Sequence, residues 1–102
     1  MFKKKSYKIV RFSKEEINSI MEIYSQKISI GEWKDYSICF HRNFALFCIH
    51  KSYLVSPEFE ILKKNLGTNQ YILSRRKRVI IRSESLKKVL QYLKRPSLML
   101  VR

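Results

Sequence analysis

The first apolar residues to recur regularly are Ile17, Ile20, Met21, Tyr24 and Ile28. Their spacing puts them on one face of a helix. Phe12-Ser13-Lys14-Glu15-Glu16-Ile17 leads into that face. Ser13 is placed to cap the free N–H groups, and Glu16, three residues on, completes a capping box. Phe12 and Ile17 occupy the two positions of a hydrophobic staple. Gly31 tolerates the left-handed backbone that follows a helix and marks its end. The pattern predicts a helix over about 14–28.

The period then changes to two. Tyr36, Ile38 and Phe40 alternate with Ser37, Cys39 and His41, as in a half-buried strand. A turn at Arg42-Asn43 leads into residues 44–51. If His41 pairs with Phe44, then Phe40 faces Ala45, Ile38 faces Phe47, and Tyr36 faces Ile49. All three of these pairs are apolar and on one face, which supports a hairpin. Pro57 opens a third strand at a position where no ladder donor is missed, and Phe59 and Ile61 alternate with Glu58 and Glu60. Residues 64–69, with Gly67, read as a loop. Residues 70–75 and 78–82 read as a second hairpin with Arg76-Lys77 near its tip. Ser83 is the expected cap of a last helix, whose stripe is Leu86, Val89, Leu90 and Leu93 and which Pro96 ends.

The order is therefore helix, about five strands, helix. Hairpin connections imply an antiparallel sheet, and two one-sided helices need one face of it to cover. The expected fold is a single α+β domain, α-β-β-β-β-β-α, over 12–95, with a basic N-terminal arm at 1–11 and an apolar C-terminal tail at 96–102. The length of 102 residues leaves no room for a second domain. No apolar run approaches the ~18 residues of a membrane span. The basic start has no apolar stretch after it, so a signal peptide is not expected. Two cysteines are too few for a disulfide scaffold; a reduced, buried state in the cytoplasm is expected for both.

A corner segment, Gly31-Glu32-Trp33-Lys34-Asp35-Tyr36, carries the most specific signal in the chain. Together with Val10-Arg11-Phe12 and Pro57-x-Phe59-Glu60-Ile61, it resembles a small alphaproteobacterial family of unknown function. Members of that family carry Gly-Glu-Trp-basic-Asp-Tyr after an N-terminal helix. The resemblance covers about residues 10–95. It implies a bacterial, cytoplasmic origin and no activity. Read from the residues alone, Gly31 stops a helix, Trp33 is a buried wedge at the corner, and Tyr36 opens a strand. Glu32 and Asp35 are either solvated or bonded to the corner backbone.

Few residues suggest catalysis. Cys39, His41, Cys48 and His50 form a Cys-x-His…Cys-x-His pattern, but in the hairpin register His41 and His50 lie roughly 20 Å apart, too far for one zinc ion. Cys39 and Cys48 are diagonal neighbours, yet nothing marks a base or an oxyanion site beside them. Glu58 and Glu60 share a strand face, as an exposed polar face also would. There is one Asp, and no phosphate-binding glycine loop or metalloprotease motif occurs. No enzyme, metal, cofactor or small-molecule substrate is expected.

Charge is the remaining signal. The formal net charge is +14. It divides as +5 over 1–11, −1 over 12–42, +1 over 43–70 and +9 over 71–102. An A+T-rich coding sequence also enriches lysine, though it would spread the excess more evenly. Arg75, Arg76, Lys77, Arg78 and Arg82, with Lys87 and Lys88 on the next helix and Lys3, Lys4 and Lys5 in the arm, form the expected binding set. Arginine forks suit phosphate oxygens, and Tyr71 and Tyr92 are candidate stacking residues. The leading expectation is a non-catalytic, non-sequence-specific binder of nucleic acid or a ribonucleoprotein surface. The alternative is a protein-binding or homodimerising module using the tail at 97–101 or the Trp33 corner. An enzyme built on Cys39 and His41 ranks third, and a lipid surface ranks below nucleic acid.

Overall fold

The computed structural model describes residues 9–52 and 56–95. Its elements follow the predicted order: α1 (Lys14–Ser29), β1 (Asp35–Phe40), β2 (Phe44–His50), β3 (Phe59–Asn65), β4 (Asn69–Arg75), β5 (Arg78–Ser83) and α2 (Leu86–Leu93). The fold is α+β. The five strands make one antiparallel sheet in which each pairs with its sequence neighbour.

The start of α1 is a complete capping box. Ser13 Oγ accepts from Glu16 N at 3.1 Å, and Ser13 N donates to Glu16 Oε1 at 2.7 Å. Its end is a Schellman turn around Gly31 at φ +79°. Glu32 N reaches Lys27 O, and Gly31 N reaches Ile28 O, which satisfies carbonyls the helix would leave open. The buried stripe is rotated from the predicted one. Ile20, Ile23 and Lys27 are buried, Ile17, Met21 and Tyr24 are partly so, and Ile28 is exposed.

The β1–β2 register is the predicted one: Tyr36 pairs with Ile49, Ile38 with Phe47 and Phe40 with Ala45. Continued across the sheet, the central row is Ile38, Phe47, Ile61, Leu73 and Ile81. This row and the flanking Ala45, Ile49 and Phe59 face the helices, and Phe12, Ile20, Ile23, Val89, Leu90 and Leu93 cover them. Phe47, Ile61, Leu73 and Val89 are fully enclosed. No described element packs over the opposite face, which carries Cys39, Leu46, Leu62, Ile72 and Arg82 in one row.

Three boundaries differ from expectation. The third strand begins at Phe59, beyond Pro57. The predicted 64–69 loop shrinks to a short turn, because β3 and β4 remain paired out to Asn65 and Asn69. The α2 cap moves from Ser83 to Ser85; Ser83 Oγ instead accepts from Ser85 N at 3.0 Å. A bulge between Leu73 and Ser74 also breaks the β4–β5 register. It inserts Ile80, so Ile80 and Ile81 both pack against the core. Val10 and Arg11, assigned to the arm by sequence, are bonded to the sheet: Val10 N donates to His41 O, and Arg11 O accepts from Lys63. Lys3, Lys4, Lys5 and the tail at 97–101 lie outside the described residues.

Candidate nucleic-acid interface

The β4–β5 turn has only two residues between its paired ends, Arg75 and Arg78. A loop this short needs a left-handed backbone at both positions to match strand twist. Arg76 and Lys77 supply it at φ 50° and 71°. Asn-Gly would adopt this shape without steric conflict; two long side chains strain it by about 1 kcal/mol each. The hairpin therefore displays cations in a backbone shape that other residues would hold more easily.

Two glutamates stand beside the tip. Glu58 Oε2 accepts from Arg75 Nε at 2.8 Å and Glu58 Oε1 from Arg76 Nε at 3.2 Å. Glu60 Oε2 accepts from Lys77 Nζ at 3.5 Å. Burial alone would push the Glu58 carboxyl up, but the hydrogen bonds from Arg75 and Arg76 outweigh it and hold the group below the usual carboxylate range. Glu58 is thus a buried counter-ion, not part of a solvated polar face. Arg75 is largely absorbed, with its guanidinium also 5.5 Å from the Phe59 ring centroid. The outer two differ: the Arg76 and Lys77 side chains stay 72% and 68% exposed.

The remaining predicted cations do not form one continuous surface with the tip. Arg78 lies beside Arg75 on the side that the helices cover. Arg82 projects from the other face, four residues along the strand. Lys87 and Lys88 are on the exposed side of α2, away from Val89, Leu90 and Leu93. The two candidate stacking residues are occupied. Tyr71 is buried and donates its hydroxyl to Glu16, and Arg95 lies 4.8 Å over the Tyr92 ring.

The Gly31–Tyr36 corner is a packing device. Trp33 is buried between Tyr24 and Phe59, with ring centroids at 5.9 and 6.2 Å. Asp35 Oδ1 accepts from Tyr36 N. Glu32 pairs with buried Lys27 at 2.9 Å, and Lys27 Nζ also donates to Arg95 O at 2.8 Å, joining both helix ends to the corner. Of the cysteines, Cys48 is buried as expected, and burial pushes its thiol up, so it stays protonated. Cys39, on the edge strand, is exposed, contrary to expectation. His50 pairs with Asp35 at one end of the β1–β2 hairpin, and His41 lies beside Phe44 at the other. Among the described residues, no three His, Cys, Asp or Glu side chains gather around a metal-sized point.

The main features missed from sequence are Glu58 as counter-ion and the buried lysines Lys27 and Lys63. A signal for the first was present. Once Phe59 pairs with Arg75, Glu58 must lie next to the hairpin tip. The lysines gave none, because a charge within an apolar stripe carries no mark of its distant partner.

No described helix is long and apolar enough to cross a membrane. No curated protein and no solved structure matches the chain. A family of proteins of unknown function does match, from just before the first helix into the last, over residues 10–90. The chain belongs to that family, DUF2794.

Proposed function

We propose that this protein is a cytoplasmic, non-catalytic binder of nucleic acid or a ribonucleoprotein surface, and that the β4–β5 hairpin tip is its leading contact. One observation carries the reading: of four consecutive cations, three pair with two carboxylates, and Arg76 and Lys77 remain exposed on a strained turn. The tip keeps a positive excess after its internal pairs are made. Backbone strain held at a charged, solvent-facing position favours a binding role over a purely structural one. Lys87 and Lys88 stand apart from the tip, in the first turn of α2 past the far end of β5. Phosphate contacts of this kind position a polymer without reading its sequence. The buried Trp33 corner gives the protein-docking alternative no support.

The test is fluorescence anisotropy with a generic duplex and a single-stranded RNA, from low to physiological salt. The expected result is salt-dependent binding that weakens in Arg76→Gln/Lys77→Gln/Arg78→Gln. Binding that is absent at low salt, or unchanged in the triple variant, overturns the proposal.

A further inference from the structure

The sheet has a second basic feature at the end opposite the Arg76–Lys77 tip. There the β1–β2 and β3–β4 turns lie side by side, and the chain leading into α1 crosses above them. Between them is a cavity of about 340 Å³ with Arg11, Arg42, Lys63, Asn65 and Asn69 in its wall. None of its seven lining residues is acidic. Its size is within the range of small-ligand pockets.

We infer that this cavity is a phosphate-binding site, separate from the hairpin surface. Lys63 supplies a buried ammonium. Its Nζ donates to Arg11 O at 2.8 Å and Glu16 Oε1 at 2.7 Å. These bonds fix the group in place, and an ammonium has three N–H donors. Glu16 is the nearest carboxylate, but it is engaged by Ser13 N, Lys63 and the Tyr71 hydroxyl. Arg11 is steadied at the mouth, with its guanidinium 5.6 Å from the Phe40 ring centroid. Arg42 adds a second guanidinium from the β1–β2 turn.

The two asparagines are oriented by a chain of bonds. Gly67 N donates to Asn65 Oδ1, which identifies the oxygen, so Asn65 Nδ2 is the donor to Asn69 Oδ1 at 2.9 Å. Asn69 therefore turns its oxygen toward Asn65 and its own N–H pair away from it. Guanidinium, ammonium and carboxamide donors around a hollow without a carboxylate suit a tetrahedral oxyanion. The ligand chemistry is a phosphate group, either free or at the end of a polynucleotide.

The experiment is an amide chemical-shift titration of the full chain with inorganic phosphate, repeated on Asn69→Asp and Arg42→Gln. Asn69→Asp preserves the acceptor for Asn65 and adds a negative charge to the wall. Phosphate is expected to move the amides of residues 11, 42, 65 and 69. Each variant should weaken it by roughly ten- to a hundredfold, as for one lost charge-assisted hydrogen bond. A short oligonucleotide with a 5′-phosphate, compared with its 5′-hydroxyl form, distinguishes the sources. Tighter binding of the phosphorylated form assigns the site to a polynucleotide end, and equal binding assigns it to free phosphate. Shifts confined to residues 76–88, no shifts at all, or unchanged affinity in Asn69→Asp overturn the inference. The hairpin triple variant should still bind phosphate here, so failure of the hairpin proposal and failure of this one are distinguishable.

Discussion

The Glu16 carboxylate serves three partners at once. It closes the capping box of α1, pairs with buried Lys63 and accepts from the Tyr71 hydroxyl. Burial would push its carboxyl up, but the bonds from Lys63, Tyr71 and Ser13 outweigh that and hold it below the ordinary glutamate range. Burial, reinforced by the same carboxylate, pushes the Tyr71 phenol up. Glu16→Gln should cost about 2 kcal/mol in urea unfolding at neutral pH, since it leaves Lys63 buried without its counter-charge. Glu16 and Glu58 both have lowered pKa values, so their contribution is complete above the unfolded glutamate value of about 4.3. It disappears as pH falls through the lowered folded values. The acid limb of the stability curve should therefore flatten in Glu16→Gln. An unchanged limb would show that Glu16 does not link folding to protonation. The thiols give a second residue-level expectation: in the native protein Cys39 should react quickly with a thiol reagent and Cys48 slowly, read by mass after timed quenching.

At the scale of elements, the β4–β5 turn sets stability against binding. Replacing Arg76-Lys77 by Asn-Gly should stabilise the protein by about 1 kcal/mol, because relief of two left-handed side chains exceeds the loss of two ion pairs whose cations are exposed, and Glu58 keeps its bond from Arg75. The same change should weaken polyanion binding. A variant that loses stability in thermal unfolding would show the turn is not strained. Gly31→Ala should act oppositely, destabilising by about 1 kcal/mol. No atom lies within 4 Å of the added methyl, so the whole effect comes from φ +79°. These elements were legible to different degrees in the sequence. The α1 box, its glycine stop and the β1–β2 register could be read because each rests on neighbours in sequence or on a two-residue alternation. The Leu73/Ser74 bulge could not, since the run Val79-Ile80-Ile81 is apolar in either register. Ile23 was missed because the buried stripe of α1 turns toward α2, a direction set by tertiary packing.

At the scale of the whole molecule, the positive charge is divided between the two ends of the sheet. Among the described residues, the hairpin tip occupies one and the Arg11–Arg42 cavity the other, while Lys87 and Lys88 stand in the first turn of α2, past the end of β5 that is remote from the tip. Sequence showed the excess at both termini but suggested one continuous late patch. Antiparallel geometry separates what the chain writes together, and β3 brings Glu58 and Glu60 to the tip. Fewer cations are then left for a polymer. On duplex DNA, the logarithm of affinity should fall against the logarithm of salt with a slope of about −3 to −4, and in the hairpin triple variant with a slope of about −1. An equal slope in both proteins would place the contacts elsewhere. The bonds that complete α1 reach far down the chain, from Glu16 to Tyr71 and from Lys27 to Arg95. A ribosome thus makes the first helix well before its partners exist. At about 5–20 residues per second, that interval lasts several seconds. During it Trp33, Tyr36 and Phe47 can begin to cover the nascent helix, but α2 cannot, so the strip of α1 that meets α2 stays bare the longest.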